Sequence, residues 1–270
     1  MEKMLSDETE YDLSKLLYSY IINDKLVDEK FIIDSLKIIY SLNDLNGYLN
    51  GVRFKKMPQG EVADYNFKTK TITIDSSIIG KSNQRLDLLE NNILILDLIF
   101  HEVCHAFQVK KTNQEDNLES QLLKLDFNLK DETNEKNFSD FFWKTVYEKL
   151  YLCFPSERLA IYNSFSTIID LLKIIKLSND SKYIDECYYS CFFDLNESYT
   201  YKNNGKTLFS PIEKFTIVHD KVKPLDPFIN KELIYYLNRS KLSLKEKFVY
   251  GLPVSNREYK KLEKKFCLLK

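Results

Sequence analysis

The sequence predicts a mostly α-helical α+β fold, in which a small antiparallel sheet at about residues 51–76 packs on a long helix and a helical C-terminal part follows. Two observations support this fold class. Apolar residues recur at helical spacing over most of the 270 residues. By contrast, the segment from Gly51 to Ser76 consists of short, alternating stretches rich in β-branched and aromatic side chains. With only 6 glycines and 6 prolines, a fold built mainly of strands and turns is disfavoured.

The N-terminal residues, up to about Ser41, predict two amphipathic helices joined around Asn23–Asp28. Their apolar positions are Leu13, Leu16, Leu17 and Tyr20 in the first and Phe31, Ile32, Leu36 and Ile39 in the second. The sheet is predicted from three segments, GVRFKKM, EVADYNF and KTITIDSS, which PQG and KTK separate.

After a polar break at GKSNQ, a long helix is predicted from about Arg85 to Lys110. Further helices are predicted at FFWKTVYEKLYL and, beginning near Pro155, at SERLAIYNSFSTIIDLLKIIKL, because proline is well tolerated in a first helical turn. We therefore divide the chain into residues 1–110 and 111–270, although one continuous domain is also compatible with this pattern.

Composition narrows the possible partners and location. The formal net charge of −1 gives no support for binding nucleic acid. The N-terminus lacks a signal pattern, and the longest apolar run, NILILDLIF, is too short to span a bilayer and contains Asp97. Five scattered cysteines do not indicate a disulfide framework; Cys187 and Cys191 suit either buried packing or a second metal site. We expect a cytoplasmic protein that binds neither nucleic acid nor membrane, and the oligomeric state stays open.

The motif with chemical content is HEVCH, His101 to His105, which contains two of the three histidines in the chain. In a helix, residues four apart lie on one face, so both imidazoles can bind one zinc ion. Glu102 is then placed to accept the proton of a zinc-bound water as it attacks a carbonyl group. The alternative is a hydrogen-bonded histidine pair in a helix interface. The apolar helix favours the metal site, because buried imidazoles and a carboxylate need a partner.

With these residues the chain resembles the zincin metallopeptidases, which carry H-E-x-x-H on a long helix under a small sheet. The order here is similar, since KTITID precedes the motif helix. The resemblance spans about Gly51 to Leu172 and is specific at the motif. It implies a zinc-dependent peptidase in which an extended substrate pairs with the edge strand of the sheet.

The resemblance also directs the search for a third zinc ligand. Gln108 and Lys111 stand where the metzincin branch has glycine and histidine, which excludes that branch. The gluzincin branch takes a glutamate from a later helix, and PSERLA resembles that helix. Four glutamates are candidates: Glu115, Glu119, Glu148 and Glu157. Glu157 is preferred because its helical neighbours are apolar or small, including Ala160, and a carboxylate there needs a partner. Glu148 is the second choice, and a first-turn carboxylate stabilised by the helix dipole is the non-metal alternative for Glu157.

Other residues have assigned or open roles. His219 is predicted to donate a hydrogen bond to the developing oxyanion, although a surface position is the alternative. Tyr162, Tyr188, Tyr189 and Tyr201 are further candidates for that donor. Asp97 either orients His101 or lies on the exposed side of the helix. Cys104 is expected to point away from the ligand face and to pack.

The sequence therefore predicts a zinc metalloprotease of gluzincin type, with His101, His105 and Glu157 as ligands, Glu102 as general base, Zn2+ as cofactor and a peptide or protein as substrate. One alternative is a regulatory protein on a zincin scaffold, similar to the ImmA/IrrE-like proteins, that cleaves or binds a single partner. Another is a catalytically inactive, helical interaction protein without metal.

Overall fold

The computed structural model describes residues 4–58, 61–81, 88–115 and 155–175, together with short pieces at 120, 123–124, 127, 202–203, 206–207 and 257. Within these residues the protein has four helices and a three-stranded sheet, so the mostly helical α+β class is confirmed. A two-residue strand pair, β4 (Lys202–Asn203) with β5 (Lys206–Thr207), forms a separate antiparallel ladder.

The two predicted N-terminal helices are α1 (Asp7–Ile21) and α2 (Glu29–Asn43). Each begins at a residue whose side chain accepts a backbone N–H of the first turn: Ser6 from Thr9 and Asp28 from Phe31. Helices α1 and α2 pack together, and six of the eight predicted apolar positions are buried; Leu16 and Tyr20 are half-buried. The two helices therefore form an antiparallel hairpin-like pair through a short connection at residues 22–28.

The sheet contains β1 (Gly51–Lys55), β2 (Ala63–Asn66) and β3 (Thr71–Asp75) in the order β1-β3-β2. The strands lie where the sequence predicts them, but the sheet is mixed: β2 and β3 are antiparallel, whereas β1 and β3 are parallel. The prediction of a wholly antiparallel sheet is wrong in this respect. The physical reason is that β1 and β3 run in the same direction, opposite to β2, and become neighbours because β3 lies in the centre of the sheet, where it is buried along its whole length.

Helix α3 (Leu88–Gln114) carries the HEVCH motif and is attached near its two ends to the connection between α1 and α2 and to the C-terminus of α2. Near its start, the buried Asn92 accepts a hydrogen bond from the Val27 backbone N–H at 2.7 Å and donates to the Lys25 carbonyl at 3.0 Å. Near its end, the Lys110 ammonium donates to the carbonyls of Asn43 and Asp44, at the C-terminus of α2. The histidines lie between these two attachments.

The edge strand β2 packs on α3, so the sheet lies on the motif helix as predicted. By length and hydropathy alone α3 is also long and apolar enough to cross a membrane, but 61% of its most apolar stretch is buried inside the protein. The core helix of a soluble protein passes the same test. The predicted cytoplasmic location stays a prediction.

Helix α4 (Pro155–Ile175) matches the predicted helix that begins near Pro155. Its residues from Ala160 onward belong to the same compact unit as residues 2–114, and its first turn is grouped with residues 115–159. The helix is continuous across this division. The predicted boundary after residue 110 stays a prediction.

Candidate metal centre

His101 and His105 lie on one face of α3, one turn apart, as their spacing requires. Their ring centroids are 4.9 Å apart, and the ring planes are inclined at 82°. His105 is buried and His101 is half-buried, so one side of the pair is accessible. The two imidazoles therefore form a preorganised nitrogen pair at the boundary of the core.

Glu157 lies in the first turn of α4 and is buried, with an exposed fraction of 3%. Ala160, one turn later, is completely buried, as expected for a small residue that permits a close approach of helices. The helical-face argument that selected Glu157 is in agreement with this burial. A buried carboxylate is costly without a compensating partner, so its surroundings decide what it does.

The structure brings His101, His105 and Glu157 together as a group that could hold a metal ion. One ligand atom from each residue lies within 4.8 Å of the other two. Two ligands of a tetrahedral zinc ion with bonds of about 2.1 Å lie about 3.4 Å apart, a spacing that small side-chain rotations can reach. Two imidazole nitrogens and one carboxylate oxygen are a donor set that such an ion accepts, with a further position left for water or substrate.

Glu102 follows the first histidine and is buried, with an exposed fraction of 7%. Successive helical residues point about 100° apart, so Glu102 does not share the face of the histidine pair but borders it. This position is suited to a carboxylate that acts beside a metal ion rather than as a ligand.

A chain of buried hydrogen bonds lies behind His105. The His105 Nδ1 is 2.9 Å from the Oε1 of Gln108, and the Gln108 Nε2 donates to the Cys104 sulfur at 3.6 Å. The same sulfur accepts a hydrogen bond from the Nδ2 of Asn163, on α4, at 3.4 Å. Cys104 is buried, as expected for packing, and in addition links α3 to α4.

Asp97, one turn before His101, lies toward α4 rather than on the exposed side of α3. Burial raises the pKa of its carboxyl group, while a hydrogen bond with Ser164 and the charge of His101 act in the opposite direction. Its Oδ1 is buried and has no hydrogen-bond partner among the described residues. Of the two interpretations of Asp97, this position favours the one in which it influences His101.

The sheet contributes an aromatic wall to the site. Phe67 directly follows β2, and its ring centroid is 6.0 Å from that of His105. The Phe67 ring also meets Tyr65 edge to face at 5.3 Å. The β2 edge of the sheet therefore reaches the buried member of the histidine pair, His105.

Several predicted residues lie outside the described part of the chain. They are His219, Glu119, Glu148, Cys187, Cys191, Tyr188, Tyr189 and Tyr201. Their roles stay predictions. Of the other residues considered, Glu115 is exposed at the end of α3, and Tyr162 is buried in α4.

Sequence reasoning missed the contribution of Gln108 and Asn163. Gln108 served only to exclude the metzincin branch, although its spacing of three residues from His105 indicates a possible contact along the helix. Asn163 gave no comparable signal, because its neighbours one turn away along the helix are a mixture of apolar and polar residues. In neither case does the sequence identify the partner before the two helices are seen together.

No family model matches this chain, and no curated protein or solved structure matches it. The resemblance to zincins is therefore carried by the motif and its setting alone. What the structure adds is a group of two histidines and one glutamate that could hold a metal ion.

Proposed function

We propose that this protein is a zinc-dependent hydrolase that cleaves peptide bonds in a peptide or protein substrate. The observation that carries this proposal is the convergence of His101, His105 and Glu157 within 4.8 Å, with Glu102 next to the first histidine in sequence. A histidine pair with a purely structural role would require neither the Glu157 carboxylate nor the Glu102 carboxylate.

Zinc suits these residues better than magnesium or calcium, because those ions prefer all-oxygen ligand sets whereas imidazole nitrogen is a common zinc ligand. When bound, zinc would supply Lewis-acid polarisation of a carbonyl group and lower the pKa of a coordinated water toward about 7. His101, His105 and Glu157 would hold the ion. Their mixture of half-buried and buried positions leaves access from the side of His101.

Glu102 would act as the general base. Its carboxylate accepts the proton of the attacking water and passes it to the leaving amine, so one residue serves in both proton transfers. Because this side chain is buried, bulk water does not compete with the leaving amine for the proton that Glu102 carries.

The sheet supports a peptide as the substrate class. β2 is an edge strand, with β3 on one side, and it packs on the helix that carries both histidines. An extended peptide can add to such an edge by main-chain hydrogen bonds, and alternate side chains then face the protein. In this arrangement a scissile bond would pass close to Phe67 and the histidine pair.

The proposal is tested with zinc-loaded protein, purified without a histidine tag, and a quenched-fluorescent peptide library. The Glu102→Gln variant should bind one zinc ion per chain but lose hydrolysis by about 10²–10⁴-fold, the usual contribution of a general base. Glu90→Gln, the same substitution on the same helix, is the matched control and should keep the wild-type rate.

Hydrolysis by Glu102→Gln at the wild-type rate would contradict the mechanism. Wild-type protein that binds zinc but cleaves no peptide would instead favour the regulatory alternative, in which the site acts on a single partner protein. Wild-type protein that binds no zinc would refute the metal centre itself.

A further inference from the structure

We propose that Gln108 is a positioning residue for the metal centre: it fixes the tautomer and orientation of His105 and connects that ligand to the helix carrying Glu157. This inference rests on the proposed metal site and concerns a residue that contacts one of its ligands. It assigns a role to a buried polar side chain that is neither a ligand nor an acid–base group in the proposed reaction.

The first step concerns the proton on His105. The amide oxygen of glutamine only accepts hydrogen bonds, so the contact of 2.9 Å between Gln108 Oε1 and His105 Nδ1 requires a proton on Nδ1. In the neutral imidazole, the other nitrogen, Nε2, then carries the lone pair that a metal ion needs. The contact therefore selects the tautomer in which His105 binds metal through Nε2.

The second step concerns what fixes Gln108. Its side chain has an exposed fraction of 2%, and a buried amide that rotated would bring its NH2 group against Nδ1–H. The hydrogen bond from Gln108 Nε2 to the Cys104 sulfur favours the observed orientation, because the oxygen of a rotated amide could only accept from the weakly donating thiol S–H. The orientation of the amide, and through it the tautomer of His105, is thereby set within one helix.

The third step concerns α4. The Cys104 sulfur also accepts from Asn163, so the connection runs from His105 through Gln108 and Cys104 to α4, which carries Glu157 in its first turn. Cys104 is 1% exposed and Asn163 is 8% exposed, so water does not replace these contacts readily. A shift of α4 relative to α3 would therefore disturb the same series of hydrogen bonds that orients His105.

The ligand-binding test compares Gln108→Met and Gln108→Glu with Gln114→Met, an exposed position at the end of the same helix. Methionine keeps the length of the side chain but cannot accept strongly from Nδ1–H, so zinc affinity should fall about 10–100-fold, as is usual when such a partner is lost. Glutamate keeps the accepting oxygen and should restore most of the affinity, while Gln114→Met should bind as wild type. Zinc affinity is measured by chelator competition, and the absorption bands of the Co2+-substituted proteins show whether the ligand geometry has changed.

Gln108→Met with wild-type affinity and wild-type Co2+ bands would overturn the proposal, as would a failure of Gln108→Glu to bind better than Gln108→Met. A second readout needs no metal and no variant. In ¹⁵N NMR spectra of the metal-free wild-type protein above pH 8, His105 should carry its proton on Nδ1; a proton on Nε2 would overturn the proposal.

These readouts separate the two proposals. If the wild-type protein takes up no zinc but His105 is protonated at Nδ1, the metal centre fails while the role of Gln108 in selecting the tautomer stands. If zinc binds and peptides are cleaved but Gln108→Met behaves as Gln114→Met, the function stands and the role of Gln108 fails.

Discussion

Helices α3 and α4 both carry candidate ligands, but at different places along their length. The histidine pair lies between two polar attachments of α3, where Asn92 bonds to the connection between α1 and α2 and Lys110 bonds to the C-terminus of α2. Glu157 lies in the first turn of α4, and the hydrogen bond from this helix to Cys104 of α3 is made further along, by Asn163. The histidine pair is therefore flanked by attachments on both sides along its helix, whereas Glu157 lies at the beginning of its helix.

The largest effect is expected from His105→Ala. This change leaves one imidazole and one carboxylate, too few protein ligands for a catalytic zinc site, so zinc affinity should fall by more than about 100-fold, beyond the loss typical of an outer hydrogen-bond partner. Equilibrium dialysis with metal analysis measures it. Unchanged zinc content would show that the metal is held elsewhere.

A smaller loss of affinity is expected from Glu157→Gln. Glutamine keeps a ligand oxygen and the volume of the side chain but not the charge, and both histidines remain in place on α3. Glu115→Gln, at an exposed position, is the matched control and should bind zinc as wild type. If Glu157→Gln and Glu115→Gln give the same dissociation constant, another residue is the third ligand, and Glu148 becomes the first to test.

What the sequence could predict depends on whether the signal for a feature is local in the chain. Helices α1, α2 and α4 and the His101–His105 pair follow from local spacing, which the chain displays directly. Glu157 could be selected because a carboxylate on an apolar helical face is costly without a partner. The position of β3 at the centre of the sheet depends on which strand is most buried, and that is a property of the assembled fold.

The polar contacts that position the site were not predictable for a related reason. Asn92 and its partners at residues 25 and 27 are more than 60 positions apart, as are Lys110 and its partners at residues 43 and 44. An asparagine or a lysine in a helix has no local pattern that names a distant carbonyl group. Such contacts appear only when the packing of the helices is known.

Asn92→Ala tests the attachment near the start of α3. It leaves the buried Val27 N–H and the Lys25 carbonyl without their partner, so the free energy of unfolding should fall by about 1–3 kcal/mol. Chemical denaturation of the metal-free protein measures it. Asn46→Ala, at an exposed asparagine, should change stability by less than about 0.5 kcal/mol. Equal effects of the two variants would show that this attachment contributes no stability to the fold.

The attachment near the other end of α3 is expected to contribute less. Lys110→Met removes an ammonium group that donates to two carbonyls at the C-terminus of α2, at 2.8 and 3.1 Å, but keeps the apolar part of the side chain. The Asp44 carboxylate, 3.6 Å away, is exposed, so the ion pair itself adds little. A cation at a helix C-terminus is worth about 0.3–1 kcal/mol, and the free energy of unfolding should fall by that amount.

Lys37→Met, which removes an exposed ion pair within α2, should have almost no effect in the same denaturation experiment. A larger loss for Lys110→Met than for Asn92→Ala would reverse the order of the two attachments and place the stronger support of the histidine pair on its C-terminal side.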